Sequence, residues 1–522
     1  MLVSKLDTVQ LNKAASTAAP YSMIPTIVFE GRQYEPEWIR LEVDRVQAGL
    51  NGLGLQAGQT VSAMLRNGPE YVVLALACRQ AGVYLVTINT HFKAREVQHV
   101  LSDSGAAVLF VHDDLLSRID GGVPTAVVVV TVPSPETAEA APRDWRAFGA
   151  GQPPMPTRGG VLHGAIVYTS GTTGKPKGVR RIPPPMEHAA AMERELLRVT
   201  EIVYGTGPGL RAYLAAPIYH SAAMAYMTHV GRMNALLVLE NGFDAERALQ
   251  LIEAHRLTHA YLVPTMYRRL LALPAQVRDR HDISSLRQVA STGSPCPPDL
   301  KRRMIEWFGP IITEAYGSSE AGYTTFIDSA DWLRHPGSAG RALPSATVRI
   351  LDVDGRQLPA GETGLIYVKQ TALPDFTYVN RPEAREAAER DGLITLGDIG
   401  YLDDEGFLYI CDRQSDMVIS GGVNIYPAEI EAVLQTMPAV ADCAVFGIPD
   451  AEYGEALAAA VQPTPGMYIE EGAVQTFLRE RLAGYKVPRV VEVHDALPRE
   501  DTGKIFKRRL REPYWRGQQR RI

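Results

Sequence analysis

Apolar and polar residues alternate in blocks along the first part of the chain. Short apolar runs that end in small or polar residues predict buried strands at 59–65, 83–89 and 106–112. Between these runs, apolar residues return every three or four positions at 69–82 and 92–105, and this spacing predicts helices. Strands that alternate with helices imply crossover connections and a parallel sheet covered on both faces.

The same strand pattern returns further along, at 259–264, 287–293 and 311–317. Each of these runs again ends in small or polar residues. Ligands of such sheets bind beyond the carboxyl ends of the strands. We therefore expect a binding site where these strands end.

The pattern changes after about residue 345. Two alternating runs on either side of an Asp354-Gly355 turn predict antiparallel hairpins, and 403–413 predicts one further strand. From about residue 414, helices at 428–437 and 474–482 are mixed with strands. The predicted fold class is therefore α/β. A large N-terminal domain, 1–412, holds mostly parallel sheets covered by helices plus a small β-barrel-like part, and a smaller α+β domain, 416–522, follows it.

Composition narrows the class of protein without changing the predicted fold. The chain has 522 residues and a net charge of −6, which gives no reason to expect nucleic acid as a partner. Its four cysteines lie far apart, so we expect a reducing compartment and no metal cluster. The longest β-branched apolar run, 126–132, is too short to cross a bilayer, and the first residues do not resemble a signal peptide. A cytoplasmic protein without a transmembrane segment is expected.

The segment YTSGTTGKPKG, 168–178, combines glycines, hydroxyl side chains and lysines, and this combination is typical of a phosphate-binding loop. It is not a P-loop. That motif needs a glycine where Thr169 stands and a serine or threonine where Pro176 stands. It also needs a helix directly after the glycines, whereas the three prolines at 183–185 prevent a helix before about residue 186.

The loop resembles the signature loop of the adenylate-forming enzymes: acyl-CoA synthetases, adenylation domains and firefly-type luciferases. Further segments resemble the other motifs of that family, in family order and over essentially the whole chain. They are APIYHSA at 216–222, STGSP at 291–295, EAYGSSE at 314–320, LGDIGYLDDEGFLYICDR at 396–413, SGGVNIYPAEIE at 420–431 and LPREDTGKIFKRRL at 497–510.

The resemblance implies an AMP-forming acid–CoA ligase. Its substrates would be a small-molecule carboxylic acid, ATP with Mg²⁺, and CoA. It also implies that the C-terminal domain is mobile, with a hinge at 413–415 and its pivot at Ser415. The candidate pocket residues, at 221–224 and 263–266, are small or apolar, so we expect a hydrophobic acid, fatty or aromatic.

The resemblance also assigns residues to roles. Those for catalysis are Lys504, His220 and Glu320. Those for ATP and AMP are Thr169, Ser170, Gly171, Thr172, Thr173, Gly174, Lys177, Ser294, Pro295, Ala315, Tyr316, Gly317, Ser318, Asp398, Ile410, Arg413 and Lys504. Those for Mg²⁺ are Glu320 and Thr172. Those for CoA are Ser420, Gly421 and Gly422. Those for the acyl group are Tyr219, His220, Ser221, Met224 and Gly293.

These roles suit the chemistry of the side chains. The carboxylate of Asp398 has enough acceptor sites for both ribose hydroxyls. One carboxylate, Glu320, is enough for Mg²⁺, which shares its ligand shell with phosphate oxygens. A fixed cation at Lys504 would lower the barrier as the acid carboxylate approaches the α-phosphate.

The sequence departs from the family pattern at several positions. Ser415 stands where an acidic residue or a lysine is usual at the hinge. Ser319 replaces a common threonine, and TGSP replaces a GGAP-like adenine loop. After the signature loop, RRIPPP at 180–185 stands where the family often has an apolar-Thr-His sequence. Contact of Arg180 and Arg181 with a charged part of the substrate is one alternative, but we expect a solvated pair. We also expect the basic tail, 507–522, to be solvated rather than bound to RNA.

Two other functions compete with CoA ligation. The first is an adenylation enzyme that loads a separate carrier protein, which would share the first chemical step. The second is a non-catalytic nucleotide-binding protein, which the presence of Lys504, Glu320, Asp398 and Arg413 disfavours. The oligomeric state stays open, with a homodimer among the alternatives.

Overall fold

The computed structural model describes residues 24–134, 144–153, 164–169, 176–207, 209–421, 423–499 and 505–516. Some of the predicted site residues lie outside these ranges. They are Ser170, Gly171, Thr172, Thr173, Gly174, Gly422 and Lys504. The end of the basic tail, 517–522, lies outside them as well.

The strands are numbered in chain order. They are β1 Thr26–Phe29, β2 Arg32–Tyr34, β3 Thr60–Met64, β4 Tyr84–Thr87, β5 Val108–His112, β6 Val128–Val132, β7 Ala165–Thr169, β8 Lys177–Arg181, β9 Arg211–Leu214, β10 Leu236–Leu239, β11 His259–Tyr261, β12 Gln288–Ser291, β13 Ile312–Ser318, β14 Gly322–Ile327, β15 Arg341–Ala342, β16 Ala346–Leu351, β17 Gly364–Gln370, β18 Phe376–Tyr378, β19 Glu389–Arg390, β20 Leu393–Leu402, β21 Leu408–Arg413, β22 Val418–Ser420, β23 Val423–Ile425, β24 Val440–Asp450, β25 Gly454–Pro463 and β26 Val490–Val493.

The α-helices are numbered in the same way. They are α1 Pro36–Gly52, α2 Pro69–Ala81, α3 Ala94–Ser104, α4 Met186–Tyr204, α5 Ser221–Arg232, α6 Ala245–Ala254, α7 Pro264–Ala272, α8 Ala275–Arg278, α9 Pro298–Phe308, α10 Ser329–Arg334, α11 Pro382–Ala387, α12 Pro427–Leu434, α13 Glu471–Arg479 and α14 Lys507–Trp515. Short 3₁₀ helices cover Asp113–Ile119 and Gly484–Lys486.

Two large sheets carry the first part of the chain. One has seven strands in the order β18-β8-β7-β4-β3-β5-β6, and the other has nine in the order β15-β14-β13-β12-β11-β9-β10-β1-β2. Strands pair in parallel through the middle of both sheets and antiparallel only towards the edges. Fully buried valines and leucines fill the strands, as expected for a sheet covered on both faces.

Local sequence accounts for where several of these elements begin and end. Helix α4 begins at Met186, directly after the three prolines that exclude an earlier start. Helix α2 begins with Pro69 at its first position and ends at Ala81, and it is capped by Gly82, whose φ of 69° is left-handed. The predicted helix at 69–82 is therefore confirmed almost to the residue.

The part of the chain between β15 and the predicted hinge is antiparallel, as the alternating pattern predicts. Five strands form this sheet, in the order β16-β17-β20-β19, with β21 paired to β20. Its own apolar core includes Ile366, Val368 and Leu408. Strand β21 ends at Arg413 and so leads directly into the predicted hinge.

The last part of the chain has a separate sheet and a separate core. Strands β23, β22, β25 and β24 pair antiparallel, and β26 adds to β25 in parallel. Helices α12 and α13 contribute Ile430, Leu434, Val474 and Leu478 to the core beneath it. Among the described helices, none is both long enough and apolar enough to cross a membrane.

Candidate active site

The predicted site segments follow neighbouring strands of the nine-stranded sheet. The order β13-β12-β11-β9 places the ends of these parallel strands side by side. Gly293, Ser294 and Pro295 follow β12, while Tyr219 and His220 follow β9. The 316–318 segment is the end of β13 itself. These candidate residues therefore lie at or beyond the carboxyl ends of neighbouring strands, while their role as a site stays a prediction.

Asp398 is held from two sides. The Tyr316 hydroxyl donates to its Oδ2 across 2.6 Å, and Arg413 Nε lies 3.2 Å from its Oδ1. The pairing of β20 with β21 sets Asp398 directly opposite Arg413. Burial, together with the charge of Asp398, raises the pKa of Tyr316, so the phenol stays protonated and donates. Each carboxylate oxygen keeps acceptor capacity for a further hydroxyl.

Two other nucleotide-site candidates, Ala315 and Gly317, lie in β13 next to Tyr316. Ala315 is buried. A Cβ on Gly317 would lie 2.1 Å from the carbonyl oxygen of Gly322, so only glycine fits there. Ile410 lies in β21 and packs against the core of the antiparallel sheet.

Glu320 and Lys177 both contact Tyr378. The Tyr378 hydroxyl donates to Glu320 Oε1 across 3.1 Å, and Lys177 Nζ lies 5.3 Å from the centre of the Tyr378 ring. The described residues include no cluster of three or more metal-binding side chains. A single carboxylate fits a Mg²⁺ ion that brings phosphate oxygens as its other ligands.

Both ends of the predicted phosphate loop are anchored to helix α3. The Tyr168 hydroxyl donates to Asp103 Oδ2 across 2.8 Å. His99 Nε2 lies 3.1 Å from the carbonyl oxygen of Pro176, so its N–H donates there. These anchors hold the two ends of the loop on one helix.

The prediction of a solvated arginine pair is wrong. Arg181 is partly buried, and its guanidinium donates to the carbonyl oxygens of Ser319 at 2.6 Å and Pro374 at 3.0 Å. Desolvation lowers its pKa to about 10, against the opposing attraction of Glu320 and Asp375. Arg180 is also partly buried, and it stacks over the Tyr84 ring at 4.5 Å. Arg181 therefore anchors the loop that carries Glu320.

The Tyr219-His220 segment is held by Asn67, which the sequence analysis missed. The Asn67 side chain donates to the carbonyl oxygens of Ala216 and Glu240, both at 3.0 Å, and accepts from the Ile218 N–H at 2.8 Å. His220 directly precedes helix α5, and its ring centre lies 4.5 Å from that of Tyr219.

Several hydroxyl groups lie close to the segment predicted to line the acyl pocket. The Ser319 hydroxyl lies 2.9 Å from that of Ser221. Met224 packs against the main core. Four tyrosines, which we call the tyrosine cluster, lie around α5: Tyr204, Tyr226, Tyr261 and Tyr323. The small or apolar lining of the acyl pocket stays a prediction, and these hydroxyl-bearing side chains lie next to the residues that it names.

Two of the C-terminal candidates, Ser420 and Gly421, lie at the end of β22 and directly after it. The Gly421 N–H donates to the carbonyl oxygen of Tyr453 at 2.9 Å, next to Ser420 at the end of β22. Gly421 has a φ of +57°, and a Cβ there would lie 3.0 Å from the Tyr453 ring. A glycine is therefore required at this position.

The predicted hinge is bonded to the last helix. Arg511 Nη1 donates to the carbonyl oxygen of Ser415 at 3.0 Å. Lys507 of the same helix forms an ion pair of 2.8 Å with Glu431. The Asp416 N–H donates back to the carbonyl oxygen of Arg413, which makes Ser415 the third residue of a tight turn.

Known families match most of this chain. The profile of the AMP-binding enzyme family matches residues 17–373, and that of the AMP-binding enzyme C-terminal domain matches 429–504. The chain belongs to the AMP-binding enzyme family. The predicted family is therefore confirmed, and so is the prediction that the chain is an enzyme, an AMP-forming ligase.

Named relatives of this AMP-binding enzyme differ in acid and acceptor. A feruloyl-CoA synthase of an Amycolatopsis species is 34% identical over 90% of this chain and 91% of its own. The fatty acid–[acyl-carrier-protein] ligase ScoC of Streptomyces coeruleorubidus is 30% identical over 95% of both chains. The ATP-bound structure of MatB from Rhodopseudomonas palustris is 29% identical, with a TM-score of 0.83, and the match covers 95% of this chain and 97% of that one. The predicted fold class is confirmed by this likeness.

Several residues that contact the candidate site of this AMP-binding enzyme left little or no sequence signal. Asn67, Tyr378 and Arg181 all act through contacts with residues far away in the chain. Only the departure from the usual family sequence at 180–181 drew attention to Arg181. The others became visible when the sheets placed their partners beside them.

Proposed function

We propose that this AMP-binding enzyme joins a hydrophobic carboxylic acid, fatty or aromatic, to CoA through an acyl-adenylate. One observation carries the proposal: the 316–320 segment reaches the predicted nucleotide, metal and acid positions at once. Its side chains Tyr316, Ser319 and Glu320 contact Asp398, Ser221 and Tyr378 respectively. A nucleotide and an acid bound on either side of this segment would be neighbours.

In the first step, an oxygen of the acid carboxylate attacks the α-phosphorus of ATP. The new bond makes the mixed anhydride, and the bond to the β-phosphate oxygen breaks to release pyrophosphate. Asp398 would hold the ribose through its hydroxyls, with Tyr316 and Arg413 fixing the orientation of the carboxylate. Lys504 would place its charge between the two approaching anions.

Glu320, with Thr172, would hold Mg²⁺, which neutralises phosphate oxygens when it is bound. Tyr378 leaves the second carboxylate oxygen of Glu320 available, since the described hydrogen bond uses Oε1. Lys177 lies on the same tyrosine and would contact the phosphates. The loop residues Ser170, Thr172 and Thr173 would add hydroxyl donors.

In the second step, the sulfur of CoA attacks the acyl carbonyl and AMP leaves. Activation as an adenylate replaces a poor leaving group by a good one and splits one difficult reaction into two. The C-terminal domain would rotate about Ser415 between the steps, so that the hairpin bearing Ser420, Gly421 and Gly422 faces the thiol. His220 would lie where the thiol enters.

The test is pyrophosphate release from ATP, measured with a panel of fatty and aromatic acids, with and without CoA. The proposal expects release that depends on the acid, and acyl-CoA and AMP when CoA is added. Nucleotide binding without any acid-dependent release would favour the non-catalytic alternative and overturn the proposal.

Loading of a carrier protein remains the second candidate, because the relative ScoC is named for that acceptor. Both candidates share the first step, so only the acceptor separates them. Acyl-adenylate that forms but reacts with a phosphopantetheinylated carrier protein and not with CoA would favour the second candidate. A cytoplasmic location stays a prediction of the sequence, and the oligomeric state stays open.

A further inference from the structure

The tyrosine cluster brings four aromatic rings together from four separate elements. Tyr204 ends α4, Tyr226 lies in α5, Tyr261 ends β11 and Tyr323 lies in β14. The Tyr204 ring meets the rings of Tyr226, Tyr261 and Tyr323 edge to face, at centroid distances of 5.1, 6.4 and 5.6 Å. Tyr226 and Tyr261 lie 5.6 Å apart. Such edge-to-face contacts are favourable for aromatic partners.

The cluster lies next to the predicted acid side of the site at two places. The Tyr204 hydroxyl donates to the carbonyl oxygen of Ala222 at 3.0 Å, one residue after Ser221. Tyr323 is bonded to the Tyr204 hydroxyl, and its strand begins two residues after Glu320. These contacts place the cluster behind the segments that the proposed function assigns to the acid.

Gly293 lies next to the cluster and has open space on the side where a Cβ would be. A Cβ placed on Gly293 would have a single neighbour within 4 Å, the Tyr261 hydroxyl at 4.0 Å. With a φ of +91°, Gly293 keeps a side chain out of this space. The Tyr261 hydroxyl is therefore the nearest side-chain atom to the open side of Gly293, one of the residues predicted to line the acyl pocket.

The hydroxyl groups of the cluster are not all used within the protein. The hydroxyls of Tyr204 and Tyr323 share a hydrogen bond, and the Tyr204 hydroxyl is also bonded to the carbonyl oxygen of Ala222. The Tyr226 hydroxyl is buried and finds no hydrogen-bond partner among the described residues. Burial raises the pKa of both Tyr226 and Tyr261, so both phenols stay protonated and can donate. A buried donor without a partner is costly, and a bound ligand that accepts the bond removes that cost.

We propose that the acid is aromatic and carries an oxygen substituent on its ring, which accepts a hydrogen bond from Tyr261, whose ring packs against that of Tyr226. The side chains of the cluster carry no charge, so they do not suit an amino group or a second carboxylate. A plain alkyl chain would leave the donors unpaired. This inference rests on the proposed function, because it names the acid of that same site.

The test compares acids that differ in one group. Pyrophosphate release is measured with cinnamate, 4-hydroxycinnamate, 4-methoxycinnamate and octanoate, for the wild type and for Tyr261→Phe and Tyr226→Phe. Tyr213→Phe is the matched control, because the Tyr213 hydroxyl is also buried without a described partner but lies in β9, outside the cluster. Melting temperatures show whether each variant folds.

For the wild type we expect kcat/KM to be at least about tenfold higher with 4-hydroxycinnamate and 4-methoxycinnamate than with cinnamate. Tyr261→Phe should reduce that preference to about threefold or less, and Tyr226→Phe should reduce it partly. Tyr213→Phe should keep it. A merely structural role of the phenols would alter the melting temperature or all four rates together and leave the preference unchanged.

The outcomes separate this inference from the proposed function. Acid-dependent pyrophosphate release with octanoate or cinnamate as the preferred acid would overturn the inference and support the proposed function. A preference for the oxygenated acids that survives Tyr261→Phe would also overturn it. Absence of acid-dependent release across the whole panel would count against the proposed function itself.

Discussion

Arg268 Nη1 lies 3.0 Å from Oδ2 of Asp442, and this ion pair joins helix α7 of the predicted N-terminal domain to strand β24 of the predicted C-terminal domain. Arg268 also donates to the carbonyl oxygen of Ala441 at 3.1 Å. Arg499, five residues before Lys504, reaches the same oxygen of Asp442 at 2.6 Å. Rotation of the C-terminal domain would have to break the Arg268–Asp442 ion pair, which joins the two domains. It would leave the Arg499–Asp442 ion pair intact, because both residues belong to the C-terminal domain.

We expect Arg268→Met to change the rates of the two half-reactions, adenylation and thioester formation, in opposite directions. The substitution weakens one arrangement of the domains by about 1.4 kcal/mol without touching the reacting atoms, so the ratio of the two rates should change about tenfold. Single-turnover formation of pyrophosphate and of acyl-CoA gives that ratio. Arg269→Met is the control, because Arg269 lies next in α7 and bonds to Phe243 of its own domain. Equal loss of both rates would contradict a role in domain arrangement.

Lys504→Ala should abolish adenylation and largely spare thioester formation from a supplied acyl-adenylate. The lysine is predicted to act only while the C-terminal domain faces the site for the first step. Loss of a fixed charge aimed at the reacting phosphate should cost at least about 3 kcal/mol, or roughly 10²-fold in rate. Each half-reaction is measured separately, with Lys486→Ala as a control in the same domain, since Lys486 pairs with Glu429. Equal losses in both steps would exclude the two-orientation mechanism.

Ser415→Pro should block one half-reaction and leave the other. Ser415 is the third residue of the turn that begins at Arg413, and proline there restricts Gln414 to extended conformations that the turn does not use. The expected result is acyl-adenylate and pyrophosphate without acyl-CoA, counted in quenched single turnovers. Ser415→Ala removes only the hydroxyl and should behave as wild type. Wild-type formation of acyl-CoA by the proline variant would show that the pivot lies elsewhere.

Tyr316→Phe should weaken ATP binding more than acid binding. The variant removes the 2.6 Å donor to Asp398 and leaves Arg413, half exposed, as the described partner of that carboxylate. Loss of a hydrogen bond to a charged group costs about 1.5–3 kcal/mol, so KM for ATP should rise by about tenfold or more. Tyr401→Phe, on the same strand as Asp398, serves as the control. A larger change in KM for the acid than for ATP would contradict the predicted role of Asp398.

Acid stability should depend on His229. Burial lowers its pKa to about 4 from 6.5, with Arg232 adding to the effect and the bond to the Gly205 carbonyl opposing it. Between about pH 4 and pH 6.5, His229 is therefore protonated in the unfolded chain but neutral in the folded chain. This contribution is fully present above pH 6.5, falls as the pH drops towards about 4, and amounts to about 3 kcal/mol.

His229→Gln should flatten that part of the stability profile, measured by urea unfolding between pH 7 and pH 4. His259 is buried with its pKa lowered to about 4 as well, so some dependence on pH should remain. His188→Gln, at an exposed position of α4, is the control and should leave the profile unchanged. A slope of wild-type size in the His229 variant would show that other groups carry the effect.

Local elements were predictable because short-range pattern specifies them. The helix expected at 92–105 is Ala94–Ser104, and the strand expected at 106–112 is Val108–His112. The turn of 354–355 and the hairpin around it also follow the prediction. Apolar spacing, prolines and glycines act within a few residues, so one sequence is enough to detect them.

Contacts between distant residues were not predictable in this way. Arg181 looked like half of a solvated pair, yet the pairing of β8 with β18 brings it to the carbonyl oxygens of Pro374 and Ser319. The tyrosine cluster comes from four elements whose tyrosines look ordinary one at a time. Their meeting depends on the order of strands in the sheet, which no local pattern contains.

The place of β1 affects how this chain can fold. Its residues Thr26–Phe29 pair in parallel with Leu236–Leu239 of β10, although the strands next in sequence after β2 form the other large sheet. Strand β1 therefore cannot join the nine-stranded sheet until β10, about 200 residues later in the chain, is available to pair with it. Contacts between residues so far apart in the sequence slow folding. A fragment cut between β8 and β9 would retain the seven-stranded sheet without β18 and leave β1 with only β2, an exposed edge that invites aggregation.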